Sequence, residues 1–175
     1  MSLMLPPAAS DVLKFAAAIR ASDNCRRTDM VHHIHDLKPG MSASTAKTVT
    51  EADILLYAGV STDINPAHLD EEYSKGTQFG GRIAHGMLSA GFISAVLANQ
   101  LPGPGTIYLS QTLRFKAPVR AGDTVRATVT VKEVFVEKNR VTLETVCTVG
   151  GRVVIEGEAV MMPPARNAVL TGTAP

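Results

Sequence analysis

The sequence predicts an α+β fold, with helices gathered on one face of an antiparallel sheet. Three observations predict it. The last third of the chain alternates apolar and polar residues with period two, through stretches separated by turn residues. One long stretch, Ala84 to Leu97, is apolar at helical spacing and rich in small residues. The order along the chain is one strand, short helices, that long helix, then an antiparallel meander.

Residues 1–35 read as an N-terminal extension, helical or disordered, with a weak helical pattern over Asp11 to Arg20 that Ser10 can cap. His32, His33 and His35 cluster at its end without metal-ligand spacing, and read as a solvated strand edge. Residues 36–162 form the main domain and 163–175 a C-terminal tail. Lys38-Pro39-Gly40 is a turn, and Ser42 to Val49 alternates as a first strand. Thr50 and Asp53 make an acidic capping box for a helix that Gly59 is expected to end. Asp70 to Tyr73 predicts a helical turn, and the glycine-rich 77–82 stretch a mobile loop without the G-K-[ST] of a phosphate loop. Ala90, Gly91 and Ala95 make the long helix thin, as suits one wrapped closely by a sheet. Pro102 to Gly105 stops it. Strands follow over 106–119, from Val125, from Val141 and from Val153, with Gly150-Gly151 as a hairpin turn.

Composition narrows the function. Apolar residues make up 45% of the 175, enough for a real core, yet aromatics are only 5% and tryptophan is absent. The net charge of +1 and the lack of a basic run speak against a nucleic-acid partner. Cys25 and Cys147 form neither a disulfide framework nor a zinc pattern, which points to a reducing, cytoplasmic setting. No apolar run has the ~18 residues of a membrane span, so no membrane association is expected.

The stretch that promises chemistry is Ser61 to Leu69, S-T-D-I-N-P-A-H-L. Asp63 and His68 stand five apart across an Asn-Pro turn and can converge on one water molecule, the equipment of general acid–base catalysis. Arg82 to Met87, R-I-A-H-G-M, runs into the long helix. Gly86 at its start lets a ligand oxygen approach free backbone N–H groups. Plainer readings stand beside these. Asp63 alone is a turn or cap residue, His68 alone a half-buried structural histidine, and Gly86 alone a weak signal. Asn65 reads as an Asx turn ahead of Pro66, and His85 as a brace for the loop. Arg114 and Lys116 read either as contacts to a ligand's phosphates or as a solvated sheet face.

The run from Tyr57 to His68, together with Arg82 to Met87 and Leu101 to Val119, resembles the MaoC-like (R)-specific enoyl-CoA hydratases, notably single-domain enzymes of polyhydroxyalkanoate synthesis. The resemblance covers about residues 36–162, and departs at Thr62, where glycine is common. It implies a hot-dog fold, a long helix wrapped by a curved antiparallel sheet, as a homodimer with joined sheets. It implies reversible syn addition of water to a trans-2-enoyl-CoA, giving an (R)-3-hydroxyacyl-CoA, with no cofactor and no metal. Residue by residue, it makes Asp63 and His68 the catalytic pair and Gly86 the backbone donor to the thioester oxygen. Ser94 matches a helix serine that supports the carboxylate. Three other readings stay open: an acyl carrier protein dehydratase, a hot-dog thioesterase, and a non-catalytic acyl-CoA binding protein.

Overall fold

The structure, a computed structural model, describes residues 31–165. The helix expected over Asp11 to Arg20, Cys25, and most of the expected tail therefore lie outside the described residues. The first described segment is part of the fold. The histidine cluster is a 3-10 turn, Ile34–Asp36, rather than a strand edge. Ile34 is buried in the core, and His32 and His33 each use Nδ1 on a distant carbonyl, Pro102 O at 3.2 Å and Pro164 O at 2.9 Å. At the other end Pro163 is buried, and its carbonyl accepts a hydrogen bond from Asn139 Nδ2 at 2.9 Å. Packing thus begins before residue 36 and continues past 162.

Strand β1 (Ser42–Thr48) leads into helix α1 (Glu51–Ser61). The capping box is made in full: Thr50 Oγ1 accepts from Asp53 N at 3.2 Å, and Asp53 Oδ2 accepts from Thr50 N at 2.8 Å. Lys47 Nζ sits 2.8 Å from the same carboxylate, and with the Thr50 donors it lowers the Asp53 pKa from 3.8 to about 2. Gly59 does not end α1. The helix runs two residues further, and Thr62 caps it in the left-handed conformation, at φ 62° and ψ 11°. The short helices α2 (Pro66–Leu69) and α3 (Glu71–Lys75) follow. The 77–82 stretch, expected to be mobile, is tied down: Arg120 donates to the carbonyls of Phe79 and Arg82, and Arg82 pairs with Glu51 at 2.9 Å.

Helix α4 (Gly86–Asn99) is the long one. It precedes β2 (Ile107–Phe115), β3 (Thr124–Phe135), β4 (Arg140–Val149) and β5 (Arg152–Met162). All pairings are antiparallel, in the order β1-β3-β4-β5-β2. The β4–β5 hairpin turns at Gly150 and Gly151, both at positive φ (55° and 84°), as a tight two-residue turn requires. α4 packs across β1, β3 and β4, burying Ile93, Val96 and Leu97 against the inward valines of β3. Period-two burial is clean in β3 and β4, whereas β2 is exposed along nearly its whole length as an edge strand. Among the described residues no helix is long and apolar enough to cross a membrane.

Candidate active site

The loop after α1 is shaped by short-range hydrogen bonds. Ser61 Oγ donates to Tyr57 O at 2.6 Å and accepts from Asp63 N at 3.2 Å. Asp63 Oδ1 accepts from Asn65 N at 3.3 Å. Asn65 is the N-cap of α2, with Oδ1 accepting from Ala67 N at 3.0 Å and Pro66 at the first helical position. The Asx-turn reading of Asn65 is what the geometry shows. One turn of helix then presents His68.

The ring of His68 is oriented by a backbone oxygen. Its Nδ1 lies 2.9 Å from Ile83 O. A carbonyl oxygen only accepts, so Nδ1 carries the hydrogen and Nε2 offers a lone pair. Ile83 is in turn held by Ala67 O on its own N–H (3.2 Å), and Ala84 N–H by Val119 O (2.7 Å). The free Nε2 stands 4.0 Å from Asp63 Oδ2, too far for a direct hydrogen bond and right for a water held by both. His68 is largely buried, while about half of the Asp63 side chain is exposed (51%).

His85 precedes α4 and is buried. Its Nε2 lies 2.9 Å from Asp63 O, and its ring centroid 3.8 Å from that of His68. It therefore braces the loop, as the sequence suggests. Gly86 is the first residue of α4, so its N–H has no intrahelical acceptor. A Cβ at Gly86 would lie 2.6 Å from Phe115 Cε1, so only glycine lets that ring lie against the helix start.

Asp63, His68 and Gly86 line one cavity of about 430 Å³, together with Tyr57, His85 and Phe115. Asp63, His68 and His85 also place one donor atom each within 4.8 Å of one another. A tetrahedral ion with ligands at ~2.0 Å sets them about 3.3 Å apart. The 4.0 Å between His68 Nε2 and Asp63 Oδ2 suits a shared water better than a shared ion. Ser94 lines a second cavity, of about 550 Å³, that meets the first at Tyr57 and Met87. Among the described residues no hydrogen bond joins Ser94 to Asp63. Lys116 lies on the rim of the first cavity and pairs with Glu156 at 3.2 Å, whereas Arg114 lines neither.

Sequence reasoning missed Tyr57, Phe115 and Ser89 as walls of this cavity. Ser89 is buried one turn into α4, its Oγ without a hydrogen-bond partner. The available signal was the scarcity of aromatics: Tyr57 and Phe115 are two of only eight Tyr and Phe residues in the chain.

The family model of the MaoC like domain matches residues 35–156. The chain belongs to the MaoC-like domain family. A curated (R)-specific enoyl-CoA hydratase from Rhodospirillum rubrum is 63% identical over 138 residues, covering 79% of this chain and 96% of that protein. A 3-hydroxybutyryl-CoA dehydratase from Methylorubrum extorquens is 45% identical over 137 residues, 78% of this chain and 87% of its own length. Among solved structures, an unliganded R-hydratase from Pseudomonas aeruginosa superposes with a TM-score of 0.71 at 47% identity, covering 75% of this chain and 85% of that one. The MaoC-like domain seen here, a long helix against one antiparallel sheet, is the hot-dog fold.

Proposed function

We propose that this MaoC-like domain is an (R)-specific enoyl-CoA hydratase, adding water reversibly to a trans-2-enoyl-CoA. The observation that carries the reading is the 4.0 Å gap between His68 Nε2 and Asp63 Oδ2, opening on the cavity that Gly86 also lines. Water in that gap donates one hydrogen to each group and turns its oxygen toward C3 of the enoyl chain. As the C–O bond forms at C3, one of the pair takes a proton from the water, and that same proton is passed on to C2, so the pair ends in its starting state. Negative charge gathers meanwhile on the thioester oxygen. The Gly86 N–H, at the positive end of the α4 dipole, answers that charge and is worth about 3–4 kcal/mol in the transition state. Asn65 supports the pair indirectly, by shaping the loop.

The substrate handle and the assembly are part of the same reading. Crotonyl-CoA placed on the protein, with no added metal or nucleotide, is expected to lose its enoyl absorbance and give the (R)-3-hydroxy product on chiral analysis. No loss with any acyl length overturns the hydratase reading, and faster turnover of crotonyl-acyl carrier protein would move the handle from coenzyme A to the carrier. Asp63→Asn is expected to lower kcat about 10²–10⁴-fold. As Asp63 is half exposed, stability should stay within about 0.5 kcal/mol in urea unfolding. A collapsed fold would instead mark Asp63 as structural. The active form is a homodimer in this proposal, joined through the open edge of β2.

A further inference from the structure

We infer that His85 is a positioning residue for this reaction, setting Asp63 through its backbone and His68 through its ring face. The inference rests on the hydratase reading, and its core is geometric. His85 is the N-cap residue of α4, yet its side chain caps nothing there. It turns instead toward the loop and is 2% exposed.

The first link is the 2.9 Å contact from Nε2 to Asp63 O. Since the carbonyl can only accept, Nε2 carries the hydrogen. The bond falls one residue after Thr62, a β-branched residue at φ 62°. Such a backbone conformation persists where the surroundings over-determine it. The bond from α4 supplies one of those restraints, at the residue that bears the carboxylate.

The second link is the stack on His68, with centroids 3.8 Å apart and planes 33° apart. The Nδ1 contact to Ile83 fixes one edge of the His68 ring, and His85 covers one face. An edge and a face together set where Nε2 points. Tyr57, whose ring centroid is 5.0 Å away, packs on His85 from α1. The side chain therefore joins α1, α2 and α4 at the point where the catalytic pair must be held.

The remaining nitrogen argues that the histidine is not a space-filler. Nδ1 is buried and has no hydrogen-bond partner among the described residues. An apolar side chain of the same size would avoid that unpaired atom. What an apolar side chain cannot do is donate to Asp63 O.

Two variants separate the links. His85→Gln keeps an N–H donor near the Nε2 position and loses the stack. His85→Phe keeps the stack and loses the donor. With crotonyl-CoA, His85→Phe is expected to lower kcat about tenfold or more while KM moves little, because misplacing the reacting groups by about 1 Å is costly. His85→Gln is expected to recover a large part of kcat. Wild-type kcat in His85→Phe overturns the inference, as does a Gln variant no better than Phe. So does a kcat loss that disappears once the folded fraction is accounted for. Two measurements need no turnover. Nitrogen-15 spectra of the wild-type chain should show His85 with its hydrogen on Nε2, and the Nδ1–H form overturns the inference. A crystal structure of His85→Phe should show the Asp63 loop displaced, and an unchanged 4.0 Å gap overturns it. Wild-type protein that hydrates no enoyl thioester counts against the hydratase reading alone, and these two measurements still decide the position of the loop.

Discussion

At the residue scale, Gly86 and Phe115 act as one unit. The phenyl ring occupies the space that any Cβ at Gly86 would need. Gly86→Ala is expected to push the ring away and lower kcat/KM about tenfold, the cost of disturbing one donor's geometry. Phe115→Leu in the same chain should restore part of it. Steady-state kinetics of the two single variants and the double variant check this, and a double variant no better than Gly86→Ala would show that the helix start itself was damaged. Much of the residue-level placement was legible in the sequence. Asp63, His68 and Gly86 reach one cavity because their motifs encode local turns: an Asx cap, a proline start and a glycine at a helix start. Tyr57 and Phe115 were illegible as cavity walls because they come from other elements, placed only when the sheet and α1 pack.

At the scale of elements, the α1 cap has a pH signature. The folded Asp53 pKa of about 2 lies below 3.8, so its ionised form favours the folded state. The contribution is complete above pH ~4 and is lost as the pH falls toward ~2. Thr50→Ala should cost about 1 kcal/mol at neutral pH. The difference between wild type and Asp53→Asn, followed by urea unfolding, should shrink as acid is added over that window, and a pH-independent difference would contradict it. Element boundaries were harder to read than elements. Gly59 has the composition of a helix end, but the Ser61-to-Tyr57 hydrogen bond carries the last turn past it, and Thr62 takes the left-handed position that glycine usually fills. The histidine cluster was misread for a related reason. The partners of His32 and His33 lie 70 and 131 residues away, and no local pattern reports such a contact.

At the scale of the whole molecule, β2 is the edge on which the proposed dimer rests. Ile107 and Leu109 are 52% and 43% exposed on an edge strand. An open apolar edge is a template for pairing with another chain. Light scattering is expected to give twice the 18.5 kDa chain mass, and Leu109→Lys to halve it. A wild-type monomer would remove the dimer from the proposal. The period-two pattern of β3 and β4 was plain in the sequence, since both are covered by α4. β2 alternates as well, but its burial does not follow, because burial there depends on what covers the edge and not on the pattern.

The His33–Pro164 hydrogen bond places the two ends of the described chain side by side. Gly150 and Gly151, at the tip of the β4–β5 hairpin, are exposed. The order in which the elements are threaded is therefore separable from the shape they make. Joining the old ends through a short linker and opening the chain at that tip would leave every strand pairing and the whole cavity lining intact. The fold is expected to tolerate circular permutation, with β5 then leading the new sequence and the acid–base loop still lying in its first half.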